Sequence, residues 1–133
     1  MNLKESGMNW MITIAGFVAL FTTIGHFAVG SKSFLKPMLE ASFDDIPKKV
    51  MHCVFHYVSA YLIVSTVALL LIGFGACIGT EASLLARFIA INYAVFAVWQ
   101  IAIAVTSKIP NGVMKLFQWV FFVLIAVFAW LGA

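Results

Sequence analysis

Charge is what this sequence lacks most. Of 133 residues, 10% are charged and 64% are hydrophobic, against about a quarter charged in an ordinary soluble domain. A chain this short has too little interior to hide so much apolar side chain, because small domains leave a large share of their surface exposed. The surplus is expected to face the lipid bilayer. Cysteine is scarce as well. Cys53 and Cys77 are the only two and would stand about 36 Å apart on one helix, so they cannot bridge within a chain and no disulfide framework is expected. The net charge of +3 is spread over the connections without a long basic cluster, which argues against a nucleic-acid partner.

What the chain has in abundance is uninterrupted apolarity. Four runs carry no charge: Trp10 to Gly30 (21 residues), Val50 to Thr80 (31), Phe88 to Ser107 (20) and Leu116 to Ala133 (18). Roughly 20 residues of helix cross a hydrocarbon core about 30 Å thick. Within lipid every backbone polar group must find its partner in the chain, and these runs lack the alternation of a barrel strand, so helices are expected. The sequence thus predicts an all-α integral membrane protein forming one domain over residues 1–133. Its architecture is an antiparallel four-helix bundle with spans at about 9–30, 47–75, 84–107 and 113–132. The first run is too long for the apolar core of a signal peptide and no small-residue cleavage site follows it, so it is expected to be retained.

Orientation follows from the cations. Lys32, Lys36, Lys48 and Lys49 lie between the first two runs and Lys108 and Lys115 between the last two, whereas Lys4 and Arg87 fall on the other side. Cytoplasmic loops carry the excess of cations, which places the termini on the periplasmic side of a bacterial inner membrane. Between the first two runs, Phe34, Leu35, Met38, Leu39 and Phe43 recur at helical spacing and predict a short interfacial helix. Asp44 or Asp45 is placed to cap the next helix, with Pro47 in its first turn. Small residues at four-residue intervals, Ala15 and Ala19, Gly75 and Gly79, then Ala86, Ala90 and Ala94, predict close helix contacts, and the run Gly73 to Gly79 also reads as the far end of the second span and a tight turn. The 13 phenylalanines and six methionines read as lipid-facing and packing residues.

The polar residues inside these runs carry the functional expectation. Traced at about 1.5 Å per residue, His26, His52 and His56 lie in one layer near the cytoplasmic surface, with Gln100 and Gln118 from the last two spans at similar depth. Thr22, Thr23, Tyr57 and Ser59 accompany them. His52 and His56, four apart, project from one helix face, as paired histidines do in metal sites. Polar groups within a membrane usually face the bundle interior or a wet cavity. The expected site has His26, His56, Gln100 and Tyr57 binding a cofactor, and His26, His52 and His56 as metal ligands. Imidazole suits zinc, copper and iron, histidine can ligate a haem, and a quinone head group fits the same layer. The plainer alternatives are histidines meeting water or phosphate at the interface and glutamines acting as interhelical glue worth under about 2 kcal/mol. On that reading the chain is an accessory or assembly subunit of a larger membrane complex, or a homo-oligomer.

Some chemistry is excluded by count or spacing. Three histidines are too few for a di-iron membrane hydroxylase. Cys53 adjoins His52, but helix neighbours point about 100° apart and make no nucleophile and base pair. Proton passage across the bilayer has only Ser65, Thr66 and Asn92 between His56 and the far side, which argues against a one-subunit pump.

Two short motifs carry a resemblance. Gly25-His26-Phe27-Ala28-Val29-Gly30-Ser31 and Phe55-His56-Tyr57-Val58-Ser59 resemble a bacterial family of small four-span membrane proteins. That family's pattern is G-H-S-x-L-G-E near the end of span one and W-H-x-x-S or W-H-x-x-T in span two. The likeness covers the first half of the chain. Phe27, Ser31 and Phe55 depart from the pattern, and the missing glutamate at Ser31 removes an acidic partner a metal could use. The resemblance implies a four-span fold and singles out His26 and His56 above His52; it implies no reaction.

Overall fold

The computed structural model describes residues 7–133, and among the described residues it is helical without a strand. The first helix, α1 (Trp10–Gly25), starts where Asn9 stands as its N-cap: the Asn9 Oδ1 accepts from the Ile12 amide at 3.2 Å. Such a side-chain oxygen satisfies an amide that a helix start leaves without a partner. Asn9 also fixes the start of α1 against two other helix ends, because its Nδ2 donates to the Gly132 carbonyl at 2.7 Å and its backbone amide donates to Gly73 at 2.8 Å.

From His26 the chain winds on as a π-helical stretch, His26–Leu35, and then as α2 (Lys36–Glu40). The wider winding is seen at its end, where the Lys36 amide bonds to Ser31, five residues back. It stops immediately before Pro37, which has no amide to donate and whose ring crowds the carbonyl four residues earlier in an ordinary α-helix. The short helix expected to lie apart in the interface is therefore the continuation of the first, and Trp10–Glu40 runs as one helix of 31 residues.

The second long helix, α3 (Asp45–Gly73), follows a four-residue turn. Asp44 is its N-cap residue without a side-chain bond to the helix, and Pro47 sits in the first turn, where a missing amide does no harm. A tight turn reverses the chain into α4 (Thr80–Thr106). Gly75 and Gly79 hold φ of 77° and 100° in that turn, values glycine reaches without steric penalty. They form the tight turn that the run Gly73 to Gly79 predicts, and not the packing stripe also expected of them. Then come α5 (Gly112–Lys115) and α6 (Trp119–Gly132). The last apolar run is thus broken at Leu116–Gln118, and its main helix has 14 residues, about 21 Å of rise. Among the described residues three helices are long and apolar enough to cross a membrane, where four were expected. These three helices suggest a membrane protein; Lys4, used in the charge asymmetry, lies outside the described residues.

Packing runs in the order α3, α1, α6, α4. The pair α1 and α3 is antiparallel and close, because small residues meet along its length. A β-carbon at Gly73 would lie 2.7 Å from the Thr13 nitrogen, and one at Gly16 would lie 3.2 Å from the Leu70 nitrogen. Farther along, the Thr23 and Thr66 hydroxyls bond at 3.1 Å. Ala15, Ala19, Ala86, Ala90, Tyr93, Ala97, Ile125 and Ala129 fill the core; Ala94, expected in the α4 stripe, faces outward. The helices α3 and α4 touch through the Ser65 hydroxyl, 2.8 Å from Tyr93 Oη, and through the rings of Tyr61, Tyr93 and Phe96. Large apolar side chains such as Trp10, Val64, Leu84 and Val98 stand exposed around the outside, an extent of bare apolar surface that water does not tolerate.

Candidate functional site

The seams just described close one end of the bundle. At the other end the helices part and enclose a cavity of about 590 Å³, within the range of small-molecule sites. Its walls come from every long element: Phe21, Thr22, Gly25, His26 and Gly30 from the first helix; Phe55, Val58 and Leu62 from α3; Phe96, Trp99 and Gln100 from α4; Phe117, Gln118, Phe121 and Phe122 from the last run. Phe21, Trp99 and Phe117 are also exposed on the outer surface, so the cavity reaches the side of the molecule.

His26 is positioned by the regular helix that ends at it, and the change of winding begins there. Its backbone amide is shared between the carbonyls of Thr22 and Thr23, and its ring stacks on Phe55 with centroids 4.2 Å apart and planes at 20°. The ring Nε2 lies 2.9 Å from the Ser59 hydroxyl, and that hydroxyl donates to the Phe55 carbonyl at 2.9 Å. Because the serine proton is committed to the carbonyl, its oxygen accepts from Nε2–H. That chain sets the tautomer and leaves Nδ1 as an acceptor, on the side of Gly30, whose β-carbon would stand 3.7 Å from it.

Gln100 and Gln118 form the second polar feature. The break between α5 and α6 puts Gln118 at the start of α6, opposite Gln100, and the two amides bond at 2.7 Å. The Gln100 Oε1 is buried with no partner, an acceptor whose desolvation costs about 1–3 kcal/mol until something donates to it. Exchanging oxygen and nitrogen in both amides preserves the bond between them. In either assignment one amide keeps its carbonyl and one N–H, and the other keeps both N–H bonds, for a third molecule.

The expected layer therefore divides. His26, Gln100, Gln118 and Thr22 line the cavity together. Thr23 turns into the seam with α3. His52 and His56 meet each other instead, Nε2 to Nε2 at 3.2 Å, on the exposed side of α3. Tyr57 is 69% exposed and lines a shallow surface groove with Asp45, Lys49 and Cys53. Neither His56 nor Tyr57 lines the cavity. Among the described residues no group of three or more His, Cys, Asp or Glu side chains is placed to hold a metal; the three imidazoles do not converge on one point.

The aromatic residues, read from sequence as packing and lipid contact, supply much of the cavity wall. A signal for them was present at helical spacing. Phe96 lies four residues before Gln100, and Phe121 and Phe122 lie three and four after Gln118, each pair on one face. Compared with protein-family models, with curated proteins and with solved structures, the chain matches none.

Proposed function

We propose that this chain is a four-span integral membrane protein that binds a flat, mostly apolar molecule with one polar end, of the quinone or quinol class, in the cavity between its helices. On this reading the α5 to α6 segment is the fourth span, kinked at Gln118, the cavity lies toward the cytoplasmic face of a bacterial inner membrane, and the ligand enters sideways from lipid past Trp99 and Phe117. One observation carries the proposal: a cavity of about 590 Å³ lined by aromatic and aliphatic side chains, with the His26 imidazole and the partnerless Gln100 Oε1 as polar features of its wall. A ring hydroxyl donates to His26 Nδ1 or Gln100, and a ring carbonyl accepts from the amide N–H, so both redox forms of such a ligand find complements. The ring lies against Phe55 and Trp99, and its tail leaves through the side opening.

A metal or haem ligated in the cavity fits the residues less well. A structural or catalytic zinc draws at least three protein donors to one point, whereas one imidazole lines this cavity and its Nε2 is bonded to Ser59. The test is extraction of the purified, detergent-solubilised protein with organic solvent, followed by chromatography and mass spectrometry. A quinone recovered at near one per chain, and lost in the Gln100→Leu and His26→Leu proteins, supports the proposal. A coloured protein with a Soret band, or recovery of quinone in proportion to bulk lipid in all three proteins, overturns it.

A further inference from the structure

His52 and His56 are left outside that cavity, and their geometry has its own meaning. They lie on consecutive turns of α3 with ring centroids 5.0 Å apart and planes at 43°, and the two Nε2 atoms approach to 3.2 Å. Neutral imidazoles reach that distance by sharing one N–H between them. It is also close to the separation of two nitrogens on a single tetrahedral zinc, roughly 3.3 Å for bonds of about 2.0–2.1 Å. Replacing the shared proton by a cation therefore needs little movement of backbone or ring. Neither imidazole has another side-chain partner among the described residues.

The surroundings leave the pair accessible. His56 is exposed and His52 partly so, and His52 stands about 10 Å along α3 from its start at helical rise, the depth of a head-group region. The nearest cation in sequence on that face, Lys48, is held elsewhere: its ammonium is 3.8 Å from the Asp45 carboxylate and 5.4 Å from the centre of the Phe43 ring. Cys53, the next residue after His52, projects about 100° away and is not a donor to the same point.

We infer that His52 and His56 form a two-nitrogen surface site for one borderline divalent cation, zinc in the first instance, separate from the cavity and independent of its ligand. Two protein donors are fewer than the three or four of a catalytic or structural zinc, so this is an open surface site in which water or a donor from a second molecule fills the two remaining positions of a tetrahedral ion. Copper(II) competes, since imidazole sites hold it more tightly than zinc.

The experiment is calorimetric titration of the untagged, full-length protein in detergent with Zn²⁺, alongside His52→Ala, His56→Ala and His26→Ala. The expected result is saturable binding of one zinc per chain. Each of the first two variants should weaken it by at least the roughly tenfold that even outer-shell changes cost at metal sites; His26→Ala should leave it unchanged. Both altered positions lie at the surface, and unchanged far-ultraviolet circular dichroism shows that the fold persists. The conservative His52→Gln and His56→Gln proteins then repeat the measurement with a side chain of similar size. No saturable zinc binding, or binding that survives both the Ala and Gln changes, overturns the inference. A loss of equal size in His26→Ala overturns it too, because the ion would then sit among all three histidines.

Discussion

Placing a leucine at Gly25 tests the cavity with effects of opposite sign on two measurements. Gly25 lines the cavity, sits at ordinary right-handed helical angles, and has nothing within 4 Å of where a β-carbon would stand. No turn or close approach requires glycine there. A good helix former in place of glycine stabilises a helix by about 0.8–1 kcal/mol, and the new side chain enters empty space rather than a packed core. Gly25→Leu should therefore unfold at a higher denaturant concentration or temperature. Binding should move the other way. A leucine side chain that excludes three ligand methylenes, at about 0.8 kcal/mol each, removes about 2.4 kcal/mol, close to a fiftyfold loss of affinity. The assay is quenching of Trp99 fluorescence by a decyl-benzoquinone, in a chain whose other tryptophans are phenylalanine. Unchanged quenching in a stabilised Gly25→Leu protein would place the quinone somewhere else. Loss of stability would mean that the space is not empty.

Three more outcomes follow from the same geometry. Gly73→Ala drives a β-carbon to within 2.8 Å of the Thr13 nitrogen and α-carbon, and should destabilise by the 1–3 kcal/mol or so of an overpacked contact, read by denaturant titration in detergent. Tyr93→Phe removes the hydroxyl 2.8 Å from Ser65. It should cost about 0.6 kcal/mol, the typical worth of an interhelical bond in a membrane, because Ser65 keeps its bond to the Tyr61 carbonyl at 2.7 Å; the same titration checks it, and a loss equal to that of Gly73→Ala would reverse the ranking of packing over polar contacts. Cys53, in the first third of α3, and Cys77, in the turn after its far end, are both exposed, so a membrane-impermeant maleimide added to intact cells should label Cys77 in a Cys53→Ala chain and leave Cys53 unlabelled in a Cys77→Ala chain. The reverse pattern would invert the proposed orientation.

Helix type and the start of α3 were legible in sequence because lipid-scale apolarity and a first-turn proline are local properties. Asp44, Asp45 and Pro47 mark the start of α3, and the glycines after Gly73 mark its end. Two departures from regular helix were not legible. The chain does not stop after the first apolar run: Phe34 to Leu39 has a helical period with or without a break before it, and only the wider winding from His26 to Leu35 shows how Pro37 is accommodated. Likewise the break at Leu116–Gln118 lies in a stretch with neither proline nor glycine. Depth alone placed His26, Gln100 and Gln118 in one layer. It carried no information about direction around each helix axis, which is why His52, His56 and Tyr57 shared the expected layer and yet stand outside the cavity.

Those two irregular segments also explain where the cavity lies. The regular part of the bundle is closed by residues that let backbones touch, Ala15, Gly16, Ala19, Gly73, Ala86, Ala90 and Ala129. Toward the other end of α1 and α3 the facing residues become Phe21, Phe55 and Val58, and in α4 they become Trp99 and Ile103. Bulky rings hold helices apart, and helices held apart leave volume unless side chains meet across the gap. Here they do not, because π winding from His26 and the turn before Trp119 carry backbone around the opening instead of across it. Each irregularity also borders a polar group that lines the cavity, His26 where the π winding starts and Gln118 where the turn ends. Irregular winding and polar groups therefore coincide at the cavity wall, the departure from local rules that the proposed quinone site calls for.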